Sequence, residues 1–367
     1  MIVLNLTLDG IYGFDDFSIN FTYPKKIVNS IIDDENLEGR ERFRYKKAVI
    51  LMGANATGKT SLGKALIRIF NYMANSNPFP LCEMVSAEKG SFSIDFVNGD
   101  YRLQRLSVEI VPSRNELTIH YLDAEIGMLD SYEKCVARLK DRSAEATKTT
   151  TSLKKLVGEI RCRFAYPEIA KTLKLTEANK TILLKTLQAV IGTLDPTLQD
   201  VSMSKDLKDT FIIRRGDAEI IIQEGKLLNR EVLSSGTAEG IDVAMFLASM
   251  IAKESTFYYC DEHFSYIQSD IEKRIFGIML DRLGANEQLI FTTHNTDMLD
   301  LNLPKHSYVF LRKRLEDGIY KVSAISASDI LKRNTDSIRN AVENDVFASL
   351  PQESLLDELE MGWVNEQ

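Results

Sequence analysis

Cysteine is scarce in this chain: Cys82, Cys135, Cys162 and Cys260 lie far apart and form no C-x-x-C pair. That spacing argues against a disulfide framework or a zinc site and points to a reducing compartment. No stretch approaches the roughly 20 apolar residues that cross a bilayer. The start, MIVLNLTLDGIYGF, has neither the basic residues nor the long apolar run of a signal peptide. A cytoplasmic location with no membrane partner is therefore expected. Sustained heptads are missing between Lys59 and Ser234, which excludes a long coiled coil, and no internal repeat is visible. A net charge of −8 excludes a surface that is basic throughout. It leaves room for a local basic face, since a polyanion responds to the local field.

What remains is ordinary for a globular protein: 367 residues, 44% hydrophobic and 27% charged, enough for one large or two modest domains. Alternating apolar residues at 2–8 and 17–23 predict two strands, with Gly10 and Gly13 in the connection. The highly charged stretch 31–44 predicts a surface loop. AVILM at 48–52 reads as a fully buried strand, and 91–110 as two strands joined by a tight turn at Asn98-Gly99. From 125 to 200 the pattern turns helical, and between Lys134 and Lys185 there are 13 Lys/Arg against 5 Asp/Glu. A hairpin around Gly216-Asp217 is expected at 210–225. Helix 236–253, strand TFYYC, helix 269–283 and strand LIFTT then alternate, which predicts a parallel α/β sheet. The tail, 335–367, holds eight acidic residues and one basic, and Leu355, Leu356 and Leu359 suggest a short amphipathic helix. The expected divisions are 1–124, 125–200, 201–334 and 335–367.

Gly53-Ala54-Asn55-Ala56-Thr57-Gly58-Lys59-Thr60 fits G-x-x-x-x-G-K-[ST] between a buried strand and a helix. Gly53 and Gly58 let the backbone wrap around phosphate, so that the N–H groups of Asn55, Ala56, Thr57 and their neighbours point inward. The helix start at Lys59, Thr60 and Ser61 adds its positive dipole end. Lys59 would reach the β and γ phosphates of ATP, and Thr60 would give its hydroxyl to Mg²⁺.

Three later features fit the same chemistry, and each also fits a plainer role. TFYYCDEHFSYI ends an apolar strand in Asp261-Glu262. One carboxylate there can hold Mg²⁺ through water and the next can act as general base, or both can be solvated acids. LIFTTHNTDML ends a second strand at His294, a γ-phosphate contact or a structural histidine. Leu233-Ser234-Ser235-Gly236-Thr237 precedes a helix, which suits an anion site or a simple serine cap.

Together these residues resemble the ATP-binding-cassette ATPase head of the SMC, RecF, RecN and OLD type. In that family the order is Walker A loop, long insertion, LSSG signature, Walker B strand ending in Asp-Glu, and switch histidine. Here the order is Lys59, the insert at 125–200, Ser234–Gly236, Asp261-Glu262 and His294. The resemblance reaches to about residue 312 and is nearest to compact bacterial ATPases of antiphage systems such as PARIS and Septu. It implies an α/β P-loop fold of the ABC-ATPase head type, with an N-terminal β subdomain and a helical insertion. Departures are Thr237 where transporter cassettes have Gln, His263-Phe264 where many have Pro-Thr, and Gln268 where the D-loop usually has Asp. Gln104 is only a weak candidate for the Q-loop.

In such ATPases the signature serine caps the γ-phosphate bound to a second subunit, which implies a homo-oligomer joined through composite ATP sites. Asp261 and Thr60 would serve the metal, with Glu262 and His294 catalytic. Transporter subunits fit poorly, and no clustered acidic and histidine set follows His294 to make an OLD-type nuclease. Two readings remain. In one, the ATP-bridged assembly is a sensor and scaffold controlling a separate effector, a nuclease or toxin encoded nearby. In the other, it is a RecF-like repair clamp that binds DNA directly. The basic insert 134–185 would touch nucleic acid or an acidic partner, or simply be a solvated face.

Overall fold

The structure, a computed structural model, describes residues 1–28, 30–165, 177–216, 218–224, 226–228, 230–316, 318–333 and 335–349. Its centre is a six-stranded sheet in the order Cys162–Ala165, Phe257–Asp261, Gln288–Thr292, Ala48–Met52, Tyr308–Glu316 and Ile319–Ser326. The first five strands are parallel. The last runs antiparallel to Tyr308–Glu316, so the sheet is mixed where a parallel one was expected. Too few residues link these two strands for a crossover, and only a hairpin closes so short a gap. Ala48–Met52 is buried along its whole length, as a strand covered on both faces must be.

A second, antiparallel six-stranded sheet carries the chain's N-terminal strand. It runs Phe17–Asn20, Ile2–Asp9, Gly90–Val97, Arg102–Val111, Glu116–Glu125 and Lys140–Asp141. Helix Lys59–Asn75 fills the space between the sheets, with Leu62, Leu66, Ile69 and Phe70 meeting Leu6 and Leu8 on one side and Val49 and Leu51 on the other. The register of Ile2–Asp9 shifts between Val3 and Asn5. A bulge of this kind turns side chains to the other face: Ile2 and Leu4 join a separate cluster with Phe43 and Tyr45, whereas Leu6 and Leu8 face the helix. The other face of the central sheet is covered by helices Glu177–Leu194 and Ser235–Ile251 and by a four-stranded sheet spanning 199–227.

Two stretches depart from expectation. The charged segment 31–44 is not a loop throughout: Asn36–Leu37 pairs with Arg40–Arg44 around Gly39, and Phe43 is buried there. The segment 125–200 has the expected helices, but strands too. Lys140–Asp141 extends the N-terminal sheet, and Cys162–Ala165 forms the edge of the central one. Glu177–Leu194 packs so closely on Ser235–Ile251 that a Cβ on Gly240 would lie 2.3 Å from Leu194 Cδ1. Leu355, Leu356 and Leu359 lie outside the described residues, as does Asp217. Among the described residues, no helix is long and apolar enough to cross a membrane.

Candidate functional site

The strand Ala48–Met52 delivers the chain into the phosphate loop. A Cβ on Gly53 would sit 2.5 Å from the Leu311 carbonyl oxygen, and one on Gly58 would sit 2.8 Å from the Phe14 ring. Only glycine fits both positions. Gly58, at φ 101°, precedes helix Lys59–Asn75, and no side chain caps that helix. Its first N–H groups therefore remain available to an anion. Ala56 takes φ 61°, a left-handed backbone costing about 1 kcal/mol for a residue with a Cβ. The Thr57 hydroxyl braces the loop by donating to Ala54 O at 2.8 Å.

Lys59 is buried. Its Nζ donates to Gly53 O at 2.7 Å and Ala54 O at 3.1 Å and lies 3.4 Å from Glu262 Oε1. Burial lowers the pKa of this ammonium, against the pull of Glu262. Tyr259, on the Walker B strand, donates its hydroxyl to Lys59 O at 2.7 Å, so the helix start and that strand are tied together.

Asp261 ends the strand with its carboxylate buried. The Thr292 hydroxyl donates to Oδ1 at 2.8 Å, while Oδ2 is buried with no hydrogen-bond partner among the described residues. Burial raises its pKa, opposed by the hydroxyls of Thr60 and Thr292. A buried carboxylate oxygen without a donor, beside a threonine hydroxyl, suits a hard divalent cation. Thr60 and Asp261 thus fit Mg²⁺.

Glu262 turns the chain at φ 47°, held there by its N–H, which donates to Thr292 Oγ1 at 3.0 Å. Its Oε1 is shared by Lys59 and by His294 Nε2, the latter at 2.8 Å. The His294 hydrogen bond, followed by the charge of Lys59, holds the carboxyl below its ordinary pKa against the effect of burial. The loop carrying His294 is fixed by Glu272, which accepts from Thr293 Oγ1 at 2.8 Å and from Asn295 Nδ2 at 2.6 Å. Glu272 and Asn295 are positioning residues that the sequence reading missed. Asn295's only local signal was the polar run TTHNTD, and Glu272 carried none.

Asn55, Ala56, Gly58, Lys59, Thr60, Ser61 and Glu262 line one cavity of about 430 Å³, joined by Tyr12, Phe14 and Lys313 from the flanking strands and loops. Ser234, Ser235 and Gly236 do not line it. Ser234 caps helix Ser235–Ile251, accepting from Thr237 N at 3.2 Å. Both serines are exposed, and Gly236 packs against Tyr266, whose carbonyl oxygen would be 2.8 Å from a Cβ there. Gln104 is also elsewhere, in the N-terminal sheet, accepting from the Tyr121 hydroxyl at 2.9 Å. Gln268 stands at the cap position of Ser269–Arg282 without a side-chain cap bond.

A neighbouring cavity of about 690 Å³ opens beside the loop between Asn55, His294 and Lys313. The last described residues frame it: Ala54 N donates to Ser349 O at 3.1 Å, and Phe347 stacks on Phe310 with ring centroids 4.0 Å apart. In the basic insert, Arg142 is paired with Asp123 at 2.8 Å and Glu145 at 2.6 Å, and Arg138 with Asp130. Lys140, Lys148, Lys154 and Lys155 are exposed.

No family model and no curated protein matches the chain. Solved structures do. An SMC head bound to the C-winged helix domain of ScpA is 13% identical with a TM-score of 0.53, covering 91% of this chain and 100% of its own. An SMC head with an extended coiled coil, bound to the C-terminal domain of ScpA and derived from Pyrococcus furiosus, is 12% identical with a TM-score of 0.52, covering 90% and 98%. At such identity the likeness bears on fold alone. The protein is built on the mixed α/β P-loop fold of the ABC-type ATPase head, in the form found in SMC heads.

Proposed function

We propose that this chain is a Mg²⁺-dependent ATPase of SMC-like type, two copies of which close around ATP to form an assembly that holds and controls a separate effector, a nuclease or toxin, in antiphage defence. One observation carries the ATPase core of this reading. Lys59 and His294 converge on a single Glu262 oxygen, beside the metal-suited pair Thr60 and Asp261, while the serines of the signature stand exposed outside that cavity. The site thus has cation, general base and γ-phosphate contact, and its own chain brings no signature to it.

Each residue has a defined task. Lys59 exchanges its loop carbonyls for phosphate oxygens when ATP enters. Thr60 and Asp261 would hold Mg²⁺, which would supply charge neutralisation at the phosphates. Glu262, kept ionised, takes the proton of the attacking water. His294, held by the Glu272 network, orients that water and senses the γ-phosphate. The open helix start at Ser234–Gly236 presents N–H groups and hydroxyls to the γ-phosphate of a second copy. Loss of that phosphate removes the charge shared by both chains.

The test is the mass in solution of Glu262→Gln with and without ATP and Mg²⁺. A nucleotide-dependent increase, abolished by Ser234→Arg, is expected. An unchanged mass together with an ATPase rate indifferent to Ser234 would sink the clamp. The effector part rests on the sequence resemblance and is tested by co-expressing the adjacent reading frame and looking for a stable complex. The DNA-clamp alternative is tested by binding to bare DNA: tight, salt-sensitive binding lost on charge reversal at the exposed Lys154 and Lys155 would favour it.

A further inference from the structure

A second charged cavity lies at the opposite end of the strand that feeds the phosphate loop. Lys46, two residues before Ala48–Met52, is 4% exposed. Its backbone is pinned on both sides: the N–H donates to Phe21 O at 2.6 Å, and the carbonyl accepts from Gln288 Nε2 at 3.1 Å. Its ammonium lines a cavity of about 290 Å³ at the seam between the two six-stranded sheets. Among the described residues, Lys46 Nζ has neither a hydrogen bond nor an ion pair. The stem is enclosed and the ammonium keeps solvent contact only through the cavity, so an anion entering there meets a cation short of acceptors. Burial pushes this ammonium down to about 8, which leaves it mainly charged at neutral pH.

The other lining groups are of the kind that oxyanions use. Lys25 and Lys332, both exposed, add two cations, the latter also donating to Ser328 O at 3.0 Å. The Thr22 hydroxyl is committed to Asn20 Oδ1 at 2.7 Å, and the Ser326 and Ser328 hydroxyls share a hydrogen bond at 3.1 Å that leaves one of them free to donate. One acidic side chain, Asp329, is also present. It lies close enough to favour the charged Lys46 but forms no ion pair with it. Three cations against one anion leave the cavity positive. A carboxylate of one charge pairs the Lys46 ammonium but not the surplus; a tetrahedral dianion meets both and offers a further oxygen to the free hydroxyl of the Ser326–Ser328 pair.

We propose that the cavity around Lys46 is a binding site for a phosphate group, free or carried as a monoester on a small molecule, separate from the nucleotide loop. The site does not depend on the ATPase reading, since it shares no residue with the loop.

The test uses the full chain carrying Lys59→Ala, which silences the nucleotide loop, and follows thermal stability and calorimetric heat on titration with inorganic phosphate and with glycerol 3-phosphate. Saturable binding is expected, weakened at least about tenfold by Lys46→Met, the loss expected on removing a charged hydrogen-bond donor. Tighter binding of the ester identifies an esterified ligand, and tighter inorganic phosphate the free ion. Asp329→Asn should tighten either ligand several-fold, an outcome that misfolding cannot mimic. The proposal is overturned if potassium chloride of equal ionic strength reproduces the stabilisation, if Lys46→Met binds as well as its parent, or if Asp329→Asn weakens binding.

Discussion

Glu262 accepts from two cationic or donor groups through one oxygen, and both lower its pKa. An ionised carboxylate at the tip of a buried strand is ready to take a proton but costs stability unless paired. Replacing it with glutamine keeps the shape and removes the base. Hydrolysis should fall by about 10²–10⁴-fold while nucleotide binding persists, measured as phosphate release against the binding of a fluorescent ATP analogue. Lys59→Ala should instead lose the nucleotide itself. Lys46 gives a second prediction at this scale. Its folded pKa is about 8 against 10.5 for the free side chain, so between these values the unfolded chain binds more protons than the folded one. Stability must then rise with pH across that window, by a total of about 3 kcal/mol. Asp329, Tyr23, Lys25 and Lys332 face the same cavity, and burial raises the pKa of the Tyr23 phenol there. The decisive quantity is therefore the wild-type slope minus that of Lys46→Met, read by urea unfolding from pH 7.5 to 10.5. A difference of zero would mean that Lys46 is solvated as in water.

Helix Ser235–Ile251 has two separable requirements at its start. The Ser234 hydroxyl caps the Thr237 N–H, and losing such a cap costs about 1 kcal/mol. Ser234→Ala should therefore unfold only slightly earlier in urea. If the same hydroxyl meets a phosphate across a subunit boundary, ATP turnover should fall far more than that small loss explains, and Ser234→Thr should restore the cap but not the full rate. The C-terminal segment behaves differently. Phe347, fully buried and stacked on Phe310, ties the last described residues to the loop mouth, and Phe347→Ala should cost about 3–5 kcal/mol. These elements also show what the sequence could convey. Residues 48–67 were legible because strand, glycine loop and helix each carry a local signal. The edge strand Cys162–Ala165 was not, since four residues hold too little periodicity to separate strand from helix. The Glu272–Asn295 pairing and the contact of Ser349 with Ala54 join residues far apart in the chain, and no local pattern announces either. That Ser234 stands outside the Lys59 cavity was expected from the family resemblance, in which the signature serine serves a second subunit, and from no local pattern.

The proposed sharing of each ATP site between two copies is a claim about the whole molecule that a single variant cannot test cleanly, because loss of activity has many causes. Recovery of activity has few. Consider two inactive chains: Lys59→Ala, which keeps Ser234, and Ser234→Arg, which keeps Lys59, Asp261, Glu262 and His294. On the proposed arrangement, each alone would form a two-fold pair in which both composite sites are broken. Mixed, they would form a pair in which one site joins the intact loop of the second chain to the intact signature of the first. The other site of that pair carries both defects. With random pairing, half of the pairs are mixed and each has one working site of two, so the mixture should reach about a quarter of the wild-type rate. Such recovery has no counterpart if each chain completes its own site, because then neither variant holds a full set of residues. A mixture no more active than its components would overturn the sharing of ATP sites between two copies of this chain.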